Sequence, residues 1–541
     1  MQTPKLIILS GAYCSAEIVA EFGKIPPAFL PLGTRRLYEL QLEIAAQLDA
    51  EVILTIPESY EVDPWDQDIL DAQLVSLLRA PSGLNLSQAV NYALSHAGAD
   101  EKTYLLYGDT LITGEVDEAA DWIATGQTTE YYEWAFIDHD SGHEPVIRSR
   151  LGDGRSTREV VCGFFAFSDP QALLDITSRN DDFIGCLNEY AAVRPFSYAA
   201  AHGWYDFGHL PLIYRSKRKM LTSRAFNDIT SDGISITKTS RHGKKMKAEA
   251  AWFQNLPREI KPFVPQFFGE TEVDGRAGYC LEYLYQPTLA ELFVFGRLPT
   301  YVWRHIITKC TGFLSNCRAI RPPEGHPFHG NAYANTFHQE VYVNKTYARV
   351  TDFCKQRSWD EDDTYLLNGT ETPSLNKISA DLLAQIQKTT PAHICLWHGD
   401  FFFGNTFFDF RSRQIKIVDP RGAVTPDNQS IYGDYRYDLA KLAHSIVGCY
   451  DYLLVGRASF EEHAERNFSF KRPTSALIDF LQQDLAESTV EGKPVIDNEI
   501  LAIMALLFIT MLPLHNDDAR RQSIMLANAL QIHRDLMETE R

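Results

Sequence analysis

The sequence predicts two different domains in series: an α/β domain on a mainly parallel sheet over residues 1–218, and an α+β domain of two lobes over residues 219–541. Three observations predict it. A chain of 541 residues exceeds what one hydrophobic core organises, so at least two domains are expected. The first part alternates short apolar strands with helical segments, the pattern of a parallel sheet. A basic, polar run, Arg215-Ser216-Lys217-Arg218-Lys219, then separates this pattern from a different one and marks a boundary within residues 215–224.

In the first domain, Lys5-Leu6-Ile7-Ile8-Leu9 is a buried-strand run ending in the small-residue turn Ser10-Gly11. The Pro-containing stretch 25–33 leads into a helical segment over 37–48, followed by the strand Glu51-Val52-Ile53-Leu54-Thr55-Ile56 and a helical segment over 86–95. The strand Thr103-Tyr104-Leu105-Leu106-Tyr107 ends in Gly108-Asp109-Thr110. Such sheets bind ligands at the carboxyl ends of their strands. Asp109 is therefore placed to hold a divalent cation that bridges nucleotide phosphates. Gly203-Trp204-Tyr205-Asp206-Phe207-Gly208 supplies a second carboxylate, Asp206, beside a glycine that lets a substrate approach closely.

The second domain opens with Ile234-Ser235-Ile236-Thr237-Lys238-Thr239, whose period of two puts Lys238 on the face of Ile234 and Ile236. A lysine on a buried face needs a partner, and Glu249 in the helical segment 244–256 is suitably spaced. Tyr279-Cys280-Leu281-Glu282-Tyr283-Leu284 runs into Gln286-Pro287-Thr288, a hinge whose backbone at Glu282 and Leu284 can meet an adenine edge. The most informative segment is Trp397-His398-Gly399-Asp400-Phe401-Phe402-Phe403-Gly404-Asn405, with Val418-Asp419-Pro420-Arg421-Gly422 shortly after. Phosphoryl transfer needs a carboxylate to take a hydroxyl proton and oxygen ligands for magnesium. Asp400 fits the base, and Asn405 and Asp419 the metal ligands. The apolar runs at 394–397 and 415–418 are expected as two strands of one hairpin around this loop.

From about residue 223 onward, these motifs and Tyr437-Asp438-Leu439-Ala440-Lys441-Leu442 resemble the aminoglycoside phosphotransferase and choline kinase family, which has a protein-kinase-like fold. The resemblance implies an N-lobe to about residue 285, ATP and Mg2+ as cofactors, Lys238 on the phosphates with Glu249 as its partner, and Asp438 as a structural residue. Asp419-Pro420-Arg421-Gly422 replaces the Asp-Phe-Gly of protein kinases, which favours a small-molecule acceptor. Thr230-Ser231-Asp232-Gly233 offers one glycine where a glycine-rich flap is usual.

The first domain, with Cys162-Gly163-Phe164-Phe165-Ala166-Phe167, resembles the sugar-phosphate nucleotidyltransferases and their glycosyltransferase-A-like fold. That resemblance implies Asp109 and Asp206 as metal ligands, Gly11, Gly83 and Ser87 against the nucleotide, and Gly163 near the substrate. The family's triphosphate-cradling Arg and its Pro-Lys pair are replaced by Gly11-Ala12-Tyr13-Cys14-Ser15-Ala16-Glu17 and Pro26-Pro27, so Lys24, Arg35 or Arg36 would have to substitute. Together the two resemblances imply a bifunctional enzyme. One half phosphorylates a sugar, polyol, glycerate or amino alcohol with ATP; the other couples the product to a nucleotide, CTP favoured or another NTP, for a surface-polysaccharide precursor such as capsule. The alternative is a kinase whose first domain is catalytically degenerate.

A formal charge of −20 argues against nucleic acid as a partner. The run Arg241-His242-Gly243-Lys244-Lys245-Met246-Lys247 reads as a solvated face. The 9 cysteines form no Cys-x-x-Cys pair, so neither a zinc site nor a disulfide framework is expected, and reduced thiols imply a cytoplasmic protein. The opening residues are not expected to act as a secretory signal. The apolar run 500–514, broken by Thr510 and Pro513, reads as a buried helix and not a membrane span.

Overall fold

The computed structural model describes residues 3–98, 101–114, 119–139, 145–151, 157–201, 203–220, 227–425 and 428–539. The chain divides into two compact units, Met1–Lys219 with Phe295–Arg297, and Met220–Val294 with Leu298–Arg541.

The first unit is built on one large mixed sheet. Ser76–Ala80, Glu51–Pro57, Lys5–Leu9 and Thr103–Tyr107 lie side by side and parallel. Arg158–Phe167 then pairs antiparallel to Thr103–Tyr107 along one edge, where Val160 also meets Phe136 of the antiparallel Glu133–Asp138, and to Trp122–Thr128 along the other. The sheet is therefore parallel-rich but mixed: beyond the antiparallel strands, Ser197–Ala200 again runs parallel to Trp122–Thr128. Parallel strands need a crossover of a dozen residues or more, usually a helix. Among the described residues between 108 and 169 there is no helix, so returning strands there run antiparallel. Ile7, Leu105 and Phe165 are fully buried together with Val90, Ala93 and Leu94 of the Leu86–Ala97 helix. Each of the larger of these side chains contributes roughly 1.5–3 kcal/mol on leaving water, Ala93 less.

The register of Arg158–Phe167 slips between Val161 and Phe165, with Gly163 at φ +83° inside the slip. A Cβ there would stand 2.3 Å from the Tyr107 ring, so glycine is required for that ring to lie across the strand.

The second unit begins with a four-stranded antiparallel sheet in the order Asn227–Ser231, Ser235–Ser240, Arg276–Glu282, Phe267–Val273. The Gly243–Gln254 helix packs on it. Ile234 does not share the buried face of Lys238: it lies outside the strand and is 76% exposed. The turn explains this, because the Asp232 carboxylate accepts from the N–H groups of Ile234 and Ser235 and holds Ile234 in the hairpin bend.

Helices follow. Tyr435–Ile446 is buried from Arg436 to its end, and Asn498–Met511 packs beside it. The stretch Asn498–His515 is long and apolar enough to cross a bilayer by length and composition, but 67% of it is buried inside the protein, as in a core helix. The expected hairpin of the two apolar runs does not form. Ile394–Leu396 pairs with Tyr432–Asp434, and Gln414–Ile417 pairs with Thr406–Asp409. Arg413 at φ +54° turns the chain back tightly enough for Gln414–Ile417 to find its nearer neighbour first. All nine cysteines are free thiols.

Candidate active sites

In the second unit, Lys238 is 7% exposed and its Nζ donates to Glu249 Oε2 at 2.8 Å and to Asp419 Oδ1 at 2.9 Å. Burial works against the ammonium, but Asp419 and Glu249 outweigh it and hold its pKa above the ordinary value. Tyr279, directly opposite Lys238 in the sheet, donates its hydroxyl to the same Glu249 oxygen at 2.7 Å. Glu249 is thus fixed from two sides on a helix face that is fully buried.

The Asp400 loop is held from beneath by one carboxylate. Asp438 accepts the backbone N–H of His398 at 2.7 Å and that of Gly399 at 2.8 Å, one on each oxygen. Asp438 is therefore the residue that shapes the loop; the helix cap is Asp434, which accepts from Arg436 N. Gly399 sits at φ +79°, and a Cβ there would meet Arg421 Cβ at 2.7 Å. Arg421 N in turn donates to His398 O at 2.8 Å, which ties the Asp419-Pro420-Arg421-Gly422 segment to the loop.

Asp400 is brought next to Asn405, whose Nδ2 donates to Asp400 Oδ2 and to its carbonyl, both at 3.1 Å. Among the described residues no donor meets Asn405 Oδ1, so the oxygen end of that amide remains for a cation. Lys441 Nζ reaches Asp400 Oδ1 at 2.8 Å. Burial would raise the Asp400 pKa, yet Lys441 overrides it and keeps the carboxyl below the usual range, hence ionised. Asp419 lies just beyond Gln414–Ile417 at φ +57°, a conformation that turns its side chain sharply out of the strand direction. Asp400 and Asp419 remain 37% and 38% exposed, the open side of an otherwise buried network. Asn405 and Asp419 offer hard oxygen donors, the type magnesium takes.

Of the two hinge positions, Glu282 has already given its N–H to Gln266 O at 2.8 Å, whereas the Leu284 N–H meets no acceptor among the described residues.

In the first unit, the antiparallel pairing of Trp204–Asp206 with Thr110–Ile112 carries Asp206 to Asp109. Phe207 N donates to Asp109 O at 2.8 Å and Gly208 N to Asp206 Oδ1 at 2.9 Å. A Cβ on Gly208 would stand 2.7 Å from Asp109 Oδ2 and 3.5 Å from Asp206 Oδ1, so the carboxylates flank this glycine. Burial, and then Asp109, push the Asp206 carboxyl up to about 7; burial likewise raises Asp109. Two crowded carboxyl groups whose charged forms are disfavoured in this way suit a divalent cation.

Asp109 lines a cavity of about 370 Å³ with Ser10, Ala12, Tyr13, Leu86, Tyr107 and Gly208 among its walls. The sequence's other candidates around it divide. Gly11 is wedged on the sheet side, where a Cβ would be 2.8 Å from Ala80 Cβ, while its neighbours Ser10 and Ala12 face the cavity. Gly83 forms a left-handed turn at φ +84° ahead of the Asn85 cap and is absent from the cavity wall. Ser87 is a correction. It is fully buried, and its hydroxyl donates to Asn180 O, because the cap sets the helix phase so that Leu86, not Ser87, faces the cavity. Arg36 is a correction too: it is 1% exposed and spent on Asp66 at 2.9 Å. Arg35 pairs with Glu43 on the surface. Only Lys24 approaches, its Nζ 4.3 Å from the centre of the cavity-lining Tyr13 ring.

No family model and no curated protein sequence matches the chain. Similar solved structures include a protein from Bacillus anthracis assigned as a glucose-1-phosphate thymidylyltransferase (14% identity, TM-score 0.32, 40% of this chain and 94% of the other). An inositol-1-phosphate CTP transferase from T. maritima is similar at 14% identity and TM-score 0.31, over 40% of this chain and 96% of the other. A protein from Haemophilus somnus 129PT assigned as a fructosamine-3-kinase matches 58% of this chain and 89% of its own at 14% identity and TM-score 0.32. These neighbours include sugar-phosphate nucleotidyltransferases and a small-molecule kinase, the same two types that the two halves of the sequence resemble.

Sequence reading missed Tyr279 and assigned no role to Lys441. One signal was available for the second, since Asp438 and Lys441 are three residues apart on one helix and hence on one face. Nothing in the strand pattern distinguishes Tyr279 from a core aromatic. His209 was missed as well; its ring stacks on Tyr132 at 4.2 Å and favours the charged form of Asp109.

Proposed function

We propose that the second unit is an ATP-dependent small-molecule kinase and the first a nucleotidyltransferase acting on its product. The observation that carries the kinase reading is the ionised Asp400, held by Lys441 and Asn405, together with the Lys238–Glu249–Asp419 network. Asp400 takes the proton of the acceptor hydroxyl as that oxygen bonds to the γ-phosphorus; the bond from phosphorus to the β-phosphate oxygen breaks and ADP leaves. Lys238 neutralises phosphate charge, and Glu249 with Tyr279 fixes its direction. The Leu284 N–H offers the adenine edge a donor. Mg2+ held by Asn405 and Asp419 would supply charge stabilisation on the transferred group.

In the first unit, Asp109 and Asp206 would hold a divalent cation at the mouth of a cavity sized for part of a nucleotide. A phosphate oxygen of the acceptor bonds to the α-phosphorus of the nucleotide, the α–β bridge breaks, and pyrophosphate leaves. CTP is the favoured nucleotide, and a surface-polysaccharide precursor the favoured product. A second reading, a kinase with a degenerate first domain, draws on a cavity wall that carries no Lys or Arg among the described residues, Lys24 reaching only the Tyr13 ring that lines it.

The deciding experiment supplies the full chain with ATP, CTP, Mg2+ and a panel of hydroxyl acceptors, and follows ADP and pyrophosphate separately. The bifunctional reading expects both. ADP without pyrophosphate, with every NTP and with Mn2+ as well, leaves the second reading.

A further inference from the structure

Next to Lys441 lie two further cations, Lys345 and Arg421, whose side chains the phosphoryl-transfer machinery just described does not use. Their common centre is the hydroxyl of Tyr437, a residue 3% exposed. Lys345 Nζ is 3.0 Å from that oxygen and Arg421 Nη1 is 3.5 Å from it. Both cations also lie against the Tyr437 ring, at 5.4 Å and 5.8 Å from its centre, and Arg421 packs over Trp397 at 5.7 Å. Lys441, one helical turn from Tyr437, completes the group and reaches Asp400.

Three unlike elements bring these charges together: the Lys345–Arg357 helix, the segment after Asp419, and the Tyr435–Ile446 helix. Lys441 has a carboxylate. Lys345 and Arg421 have none among the described residues; their polar contacts are Tyr437 and, for Arg421, the carbonyl of Val424 at 3.2 Å. In a chain of net charge −20, such a concentration of uncompensated positive charge is not a by-product of composition. Electrostatics registers the excess. Burial, with Arg421 and Lys441 adding to it, brings Lys345 down to about 8; burial would raise the Tyr437 phenol, but Lys345, Arg421 and Lys441 bring it down to about 8. Like charges crowded in this way are relieved by an anion.

Lys345 and Arg421 are half-buried, and the cluster meets the exposed side of Asp400 through Lys441. We propose that the acceptor carries a negatively charged group, a carboxylate or a phosphate, which Lys345, Arg421 and the Tyr437 hydroxyl bind while its hydroxyl lies against Asp400. This rests on the kinase reading of the second unit and narrows it: among the expected acceptors, acids of the glycerate type or already phosphorylated polyols fit, and amino alcohols do not. A planar guanidinium beside an ammonium and a phenol suits either anion geometry.

The test compares acceptors that differ only in the anionic group, using the full chain with ATP and Mg2+: glycerate and glycerol 3-phosphate against glycerol, gluconate against glucitol, with ethanolamine as a cationic control. An anionic member should be preferred in kcat/KM over its uncharged parent by roughly 10- to 100-fold, the size of one or two hydrogen bonds to charged groups. Carboxylate and phosphate are distinguished by which pair shows the preference. Lys345→Met should raise the KM for the anion by about 10-fold while leaving the KM for ATP and for the uncharged parent unchanged, and Lys345→Arg should recover most of the loss. The uncharged parent is an internal control for folding. Preference for glycerol, glucitol or ethanolamine, with turnover still abolished by Asp400→Asn, overturns the inference and leaves the kinase reading standing. A rise in the ATP KM instead of the acceptor KM also overturns it, assigning the cluster to the nucleotide. ATP consumption unaffected by every acceptor and by Asp400→Asn removes the kinase reading, and this inference with it.

Discussion

The two candidate sites solve one electrostatic problem in opposite ways. In the second unit each reactive carboxylate already has an internal cation: Lys441 at 2.8 Å from Asp400 and Lys238 at 2.9 Å from Asp419. In the first unit Asp109 and Asp206 flank Gly208; burial raises both pKa values, and backbone N–H groups, with His209 beside Asp109, offset it only in part. One site is preorganised by the chain itself. On the proposed reading the other calls for an external cation, so its activity and local order should follow divalent metal far more closely.

The largest expected effect separates the halves outright. Asp109→Ala or Asp206→Ala should reduce pyrophosphate release to background while ADP formation continues at the parent rate. A simultaneous loss of both products would mean that the units are not chemically independent. Next, Asp400→Asn is nearly isosteric and keeps the Asn405 contact, yet removes the base; ADP formation should fall by about 100-fold or more, with pyrophosphate release from a pre-phosphorylated acceptor retained. Wild-type ADP formation would show that another group takes the proton.

Glu249→Gln sharpens the contrast more gently. Tyr279 can still donate to the amide oxygen, but Lys238 loses a charged partner and is left leaning on Asp419. A fall of roughly 10-fold in kcat/KM for ATP is expected, with the acceptor KM unchanged, because a charge-assisted hydrogen bond is lost. Equal effects on both substrates would point to general loosening of the lobe.

The smallest effect concerns pH. His444 is wholly buried between the rings of Tyr450 and Phe508, at 4.4 and 4.0 Å, on the helix that carries Asp438 and Lys441. Burial, aided by Lys441, holds its pKa well below the ordinary 6.5. The unfolded chain therefore binds the proton first, and stability should be lost as pH falls below about 6.5. His444→Phe should remove about 2 kcal/mol of that acid sensitivity, read as a smaller drop in Tm between pH 7 and pH 5. An unchanged drop would place the acid-sensitive group elsewhere.

The spacing of Asp400 to Asn405, the second acid after an apolar strand, and the lysine at period two were all legible, because they depend on neighbours a few residues away. The fold brings these residues together, together with Glu249 from the next helix. What failed to read off was phase and pairing. Ser87 and Arg36 have suitable chemistry but point into the interior, and the two apolar runs around Asp400 choose other strand partners. A shift of one residue turns a side chain from cavity to core, and local composition does not fix that shift.

By itself the sequence determined the strand-and-helix alternation of the first part and the kinds and spacing of the candidate groups in the second, since hydrophobic periodicity and motif spacing are local properties. Tertiary structure alone decided that Asp206 meets Asp109 from 97 residues away, that Lys441 neutralises Asp400, and that Lys345 and Arg421 converge on Tyr437. Charges act through space. Which ones meet depends on how strands and helices pack, and no window of the chain contains that information.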